Sequence, residues 1–142
     1  MKLYRRLILF LLFAWTFSTG VSAEQYLCVE EQATGFYFRS GQWKSTKFDA
    51  DARFYLKNPD ADDPQFSRYA YVLMEIGSED PTGWCEKDFD TTGQTECESN
   101  RGNIVINNLT RRFLRTYSTG YISGFDDNRD TPHMAIGKCS PL

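Results

Sequence analysis

Arg68-Tyr69-Ala70-Tyr71-Val72-Leu73-Met74-Glu75-Ile76 is the most strand-like stretch of the 142-residue chain. Its β-branched and aromatic residues favour extended backbone. A strand puts Ala70, Val72, Met74 and Ile76 on one face and Tyr69, Tyr71, Leu73 and Glu75 on the other. Residues 51–57 repeat the pattern, with Ala52, Phe54 and Leu56 set against Arg53, Tyr55 and Lys57. A helix starting at Phe48 is the competing reading there, because Phe48, Ala52 and Tyr55 also share a helical face.

Working outward, further strands are expected at 34–39, 84–89, 94–98, 103–107 and 134–139. Short β pieces are expected around Phe113-Leu114 and Tyr121-Ile122, with Gly120 as a bulge or kink. Asn58-Pro59-Asp60, Asp62-Asp63-Pro64 and the stretch Phe125 to Pro132 read as loops. Strands of this spacing, separated by Gly, Pro and Asp, predict an all-β fold. A small antiparallel barrel or strongly curled sheet is favoured over a flat one, because closure hides strand edges.

The N-terminus carries an export pattern. Lys2, Arg5 and Arg6 precede an apolar run from Leu7 to Phe17, and Val21-Ser22-Ala23 offers small residues for cleavage. That run holds 11 residues, about half of what a spanning helix needs. Residues 1–23 therefore read as a signal peptide and 24–142 as one exported domain, periplasmic or secreted, with no membrane segment after cleavage. All 19 acidic residues follow position 23, against 13 of the 16 basic ones, so the domain's net charge is about −6. This disfavours nucleic acid and anionic membranes and favours a basic protein partner.

Aliphatic content is low, and aromatic residues supply much of the apolar area. Such a core gains from covalent cross-links. Cys28, Cys85, Cys97 and Cys139 in an exported domain imply two disulfides. Three pairings are possible. Cys85–Cys97 across the turn Asp90-Thr91-Thr92-Gly93, with Cys28–Cys139 joining the first strand to the last, is the favoured one. The spacing lacks the close C-x-x-C pairs of structural zinc sites, so no metal is expected, and no motif asks for a cofactor.

Catalytic patterns are incomplete. His133 is the one histidine in the chain, and no G-x-S-x-G elbow accompanies it; a strand edge is its expected place. Asp126-Asp127-Asn128-Arg129-Asp130 begins like a calcium loop, but Thr131 and Gly137 stand where Gly and Glu belong, which leaves a solvated turn; Asp60, Asp62 and Asp63 read the same way. Glu75 would be an acid or base if buried, but alternation turns it away from Met74 and Ile76, toward solvent. Arg101, Arg111, Arg112 and Arg115 are suited to an anion, although solvated strand faces are their ordinary place. Trp43, Trp84, Tyr69, Tyr71, Tyr117 and Tyr121 suit either a core or a face for sugars or a partner. The ligand-binding candidates are accordingly Trp43, Trp84, Tyr117, Tyr121, Arg112 and Arg115, with no catalytic residue assigned. Asn108-Leu109-Thr110 is a glycosylation sequon, relevant only in a eukaryotic secretory pathway.

The tail Thr131 to Cys139, the stretch Ala33-Thr34-Gly35-Phe36 and the pair Gly120-Tyr121 resemble small exported bacterial proteins, a resemblance that implies no activity. Tyr26-Leu27-Cys28 is similar to the aromatic-x-Cys start of periplasmic C-type lysozyme inhibitors, which implies a small antiparallel β-barrel. Ser118-Thr119-Gly120-Tyr121 departs in spacing from that family's inhibitory loop, and no inhibitory residue is carried over. The expected function is a non-enzymatic exported binding domain of the inhibitor or immunity type. The alternatives are a carboxylate-dependent hydrolase of cell-envelope glycans and a structural component of a surface assembly.

Overall fold

The computed structural model describes residues 25–142; the expected signal peptide lies outside them. Nine strands run in order: β1 (Tyr26–Arg39), β2 (Gln42–Phe48), β3 (Arg53–Lys57), β4 (Tyr71–Glu75), β5 (Gly83–Cys85), β6 (Gln94–Ser99), β7 (Gly102–Asn107), β8 (Arg112–Tyr117) and β9 (His133–Pro141). All neighbours pair antiparallel, and β9 returns to pair with β1. This closes an eight-stranded barrel of β1 and β3 to β9, so the expected all-β barrel is what the chain forms. Among the described residues, no helix is long and apolar enough to cross a membrane.

Strand β1 is long enough to serve two purposes. One edge pairs with β9 from Tyr26 to Gly35, with a bulge between Glu30 and Gln32. The other edge pairs first with β3 and then, from Ala33 to Arg39, with β2. The β1–β2 hairpin thus runs on beyond the barrel. Its tight turn at Ser40-Gly41 has both residues at positive φ, the twist that suits a two-residue hairpin.

Both disulfides are cross-strand staples inside the barrel. Cys28 lies opposite Cys139 on the β1–β9 seam, and Cys85 lies opposite Cys97 on β5–β6. The favoured pairing is the one formed. Such bonds fit an oxidising compartment rather than the cytosol. The predicted turn at Asp90 is also present. Its carboxylate accepts bonds from the Gln94 and Thr92 amides and the Thr92 hydroxyl. These, led by the Gln94 amide, hold it below the usual carboxylate range.

Interior faces alternate with outer ones along each strand. Tyr26, Cys28, Phe54, Leu56, Leu73, Ile104, Ile106 and Phe113 fill the lumen, with Phe54 and Phe113 edge to face at 5.2 Å. Leu56 is fully buried. Leu56→Ala is therefore expected to cost about 3 kcal/mol, read from urea unfolding; a loss below about 1 kcal/mol would contradict this core.

Four expectations need correction. The inward face of β4 is Tyr71, Leu73 and Glu75, not the solvent side assigned to Glu75. Val72 on the opposite face is buried as well, because residues 58–70 fold over it and bring Phe66 to the cavity that Val72 and Met74 line. Tyr121 and Ile122 lie in a helical turn, Thr119–Ile122, rather than a strand. The strand expected at 84–89 ends at Cys85. Finally, β2 had no expected counterpart.

Candidate functional site

The outer wall of the barrel can be read from its register. One row crosses five strands as Glu96, Val105, Leu114, Ile136 and Gln32. The next runs Trp84, Glu98, Asn103, Thr116, Met134, Thr34 and Lys47. Val105, Leu114, Ile136, Met134 and nearby Phe36 are exposed, by 36% to 49%. Outward positions of a solvated sheet are normally polar, so the apolar band across β7, β8, β9 and β1 is the candidate interaction surface of the barrel. Two grooves open onto it. One of about 530 Å³ lies between Thr34, Phe48, Met134 and Ile136; the other, of about 400 Å³, is lined by Phe36, Tyr117, Pro132 and Met134.

At the β5–β6 end this wall becomes acidic. Trp84, Glu86, Lys87, Glu96 and Glu98 line one concavity. Trp84 stacks on Tyr69 with centroids 5.5 Å apart, and Arg68 lies 4.8 Å over the Tyr69 ring. Glu86, Glu96 and Glu98 enter no ion pair among the described residues. Three carboxylates against one ammonium, Lys87, beside an indole leave a net negative concavity that suits a Lys or Arg side chain, which gains both Coulomb and cation–π attraction.

The hairpin tip is held differently. Trp43 packs against Phe38 at 5.4 Å and Tyr121 at 5.7 Å, and its indole N–H donates to Asp126 at 3.0 Å. Asn128 clamps the β1 edge, accepting from the Phe38 amide and donating to the Phe38 carbonyl. Asp127 pairs with Arg129, which holds its carboxyl below the usual range. The loop that began like a calcium site is thus a strut for the hairpin. Among the described residues no cluster of His, Cys, Asp and Glu has the arrangement of a metal site.

The barrel end at Glu30, Arg101 and Tyr117 is polar. Glu30 follows Tyr26 and Cys28 on the inward face of β1 and meets Arg115 of β8 at 2.6 Å, with side chains only 1% and 9% exposed. Glu30 Oε2 also accepts from the Ala52 amide at 3.4 Å. The Glu30–Arg115 contact is an ion pair off hydrogen-bond geometry, and Arg115 Nε has no hydrogen-bond partner among the described residues. Glu75, at the same end, pairs with Arg101 at 2.9 Å. Tyr117 donates its hydroxyl to Asp130 at 3.0 Å, which raises the phenol above its ordinary value. His133 begins β9 and is paired on both sides, with Gly35 of β1 and Tyr117 of β8, so it lies at the end of a central strand rather than at the strand edge expected for it; its ring stacks on Tyr117 at 5.5 Å.

The six ligand-binding candidates therefore do not share one cavity. Trp43 and Tyr121 meet at the hairpin tip. Tyr117 and Arg115 meet at the barrel mouth. Trp84 sits on the acidic flank of the wall, and Arg112 is exposed on β8 opposite Lys138. Arg115 corrects the expectation of a solvated strand face. Sequence reasoning missed Glu30 and the apolar band. A carboxylate in step with Tyr26 and Cys28 was the available signal for the first; a mutual register of four strands was needed for the second. Comparison with known proteins gives no match to a family model, a curated sequence or a solved structure.

Proposed function

We propose that residues 24–142 are an exported, non-enzymatic binding domain that seats a basic protein on the outer wall of β5 to β9 and β1. The observation that carries this reading is the continuity of that wall. Its exposed apolar centre, Val105, Leu114, Ile136 and Met134, runs directly into the unpaired carboxylates Glu86, Glu96 and Glu98 around Trp84. Interfaces of protein partners combine such an apolar centre with a charged rim. The rim sets encounter rate and partner choice, and a buried indole anchors affinity. The net charge of about −6 over the domain acts in the same direction.

The signal-like N-terminus and the two disulfides support a periplasmic or secreted setting. An inhibitor or immunity role toward a secreted or wall-active enzyme is the sharpest form of this reading. It is tested by affinity capture from the exported fraction with the wild-type domain and with Trp84→Ala combined with Glu96→Gln and Glu98→Gln. These residues face outward, so circular dichroism should be unchanged. A basic protein bound by the wild type and weakened about tenfold or more in the variant is expected. Nothing specific retained, or equal retention by both proteins, contradicts the proposal.

A further inference from the structure

We infer that the free edge of β2 is a self-association surface, on which a second copy of this chain pairs its own β2 antiparallel across a two-fold axis. Beyond the barrel the β1–β2 hairpin has two edges, and they differ. On the β1 side, the Pro132 carbonyl accepts the Phe36 amide, and Asn128 bonds both the amide and the carbonyl of Phe38. On the β2 side, no strand pairs with Gln42–Phe48 among the described residues. Edges that must stay single carry a cover, a proline or a bulge. Strand β2 is 7 residues long, contains no proline and pairs with β1 without a register shift.

Backbone geometry fixes which groups are open. Ser40 and Gly41 form a two-residue turn, so Arg39 and Gln42 exchange ladder bonds and the pattern alternates from there. Trp43, Ser45 and Lys47 therefore direct their N–H and C=O groups away from β1. Phe38, opposite Trp43, obeys the same alternation, since its own N–H and C=O turn away from β2 to Asn128. Among the described residues the one partner of the outward β2 groups is the Thr46 hydroxyl, which donates to the Lys47 carbonyl at 3.1 Å.

An identical edge meets all of these groups in one register. Overlap of the whole strand centres on Ser45 and sets Trp43 opposite Lys47 of the other copy, which joins every outward group to a counterpart. Lys44 then faces Thr46, and no two lysines meet. The next register toward the hairpin tip sets Lys44 opposite Lys44, which is unfavourable. The next toward the strand's other end leaves Trp43 unpaired, and the one after that sets Lys47 opposite Lys47. The lysines thus exclude competing registers rather than pairing itself. Lys47 also gains a cation–π contact with Trp43 of the other copy. Asp126, which accepts the Trp43 indole N–H at 3.0 Å, adds a carboxylate beside that ring. Pairing of this isologous kind closes at two copies. It uses a strand edge and not the face of the outer wall, so this dimer and the proposed basic partner can fail separately.

The test is sedimentation of the oxidised, full exported domain over a concentration series, with amide hydrogen exchange measured at both ends of the series. A reversible dimer with a Kd in the micromolar range is expected. The Trp43, Ser45 and Lys47 amides should exchange slowly in the dimer and fast after dilution. Ser45→Pro removes an outward N–H without touching the β1 ladder and should weaken the dimer about tenfold or more. Thr46→Glu sets a carboxylate opposite Lys44 of the other copy in this register alone and should tighten the dimer about threefold. That second variant keeps the test decisive if Ser45→Pro does not fold. A domain still monomeric at millimolar concentration overturns the inference. So does a dimer whose three amides exchange alike at every concentration, one that folded Ser45→Pro leaves intact, or one that Thr46→Glu fails to tighten.

Discussion

Replacing Cys28 and Cys139 together with Ala is expected to lower stability by about 5 kcal/mol, and replacing Cys85 and Cys97 by about 3 kcal/mol. The difference follows from loop length. The first bond spans 111 residues and the second 12, and the entropy removed from the unfolded chain grows with the logarithm of that span. The larger loss is comparable to the whole stability of many domains. Its structural consequence is also specific, because Cys28 and Cys139 face each other on the seam where the last strand meets the first. Urea unfolding of the two double variants checks this. Equal losses, or a larger loss at Cys85–Cys97, would contradict the assigned role of the seam.

Glu30→Ala is expected to cost 3–5 kcal/mol, the range for removing one partner of a buried ion pair. The cost comes from Arg115, which stays in the barrel at 9% side-chain exposure with its only ion-pair partner among the described residues removed. The ion pair itself is not expected to add much net stability, because both charges were taken out of water to form it. Glu30→Leu with Arg115→Leu should therefore recover most of the loss. A double-mutant cycle by chemical unfolding separates the two effects. A Glu30→Ala cost below about 1 kcal/mol, or a double variant no better than the single one, would contradict the buried pair.

Legibility of the fold depended on how each strand meets solvent. In 53–57 one face is buried and the other wet, so Phe54 and Leu56 alternate cleanly with Arg53, Tyr55 and Lys57. The cysteines were legible because export restricts their chemistry and a strand-to-strand tie satisfies both ends of the chain. In β4 the alternation misled. Residues 58–70 cover the outer side of Val72, so Tyr71, Val72 and Leu73 are all buried and the pattern no longer distinguishes inside from outside. Strand β2 had no signal of this kind. Gln42-Trp43-Lys44-Ser45-Thr46-Lys47-Phe48 is a solvated edge, and its lysines are the type of residue that guards an edge against indiscriminate pairing.

The candidate surfaces were less legible, because they exist only across strands. Val105, Leu114 and Ile136 lie on three different strands and become neighbours only through the β7–β8–β9 register. Likewise, Arg115 reads as an exposed arginine until Glu30, at the start of the domain, is brought across the barrel to it. Trp84 was singled out among the aromatics, but its significance comes from Glu86, Glu96 and Glu98, whose charges looked like ordinary solubility. Tyr121 shows the opposite case. Its aromatic ring suggested a strand face, whereas the helical turn at Thr119–Ile122 presents it edge-on to Trp43.

Closure of the barrel at β1–β9 underlies both surfaces, since the outer wall crosses that seam and the polar mouth is bounded by it. Amide hydrogen exchange of the oxidised domain, dilute enough to be monomeric, tests it most directly. Successive β9 amides point alternately toward β8 and β1. A closed seam predicts slow exchange in both sets, comparable to β7 and β8, with fast exchange along the free edge of β2. If the β9 amides directed at β1 exchanged as fast as that free edge, the barrel would be open, and the wall and the mouth described here would not exist.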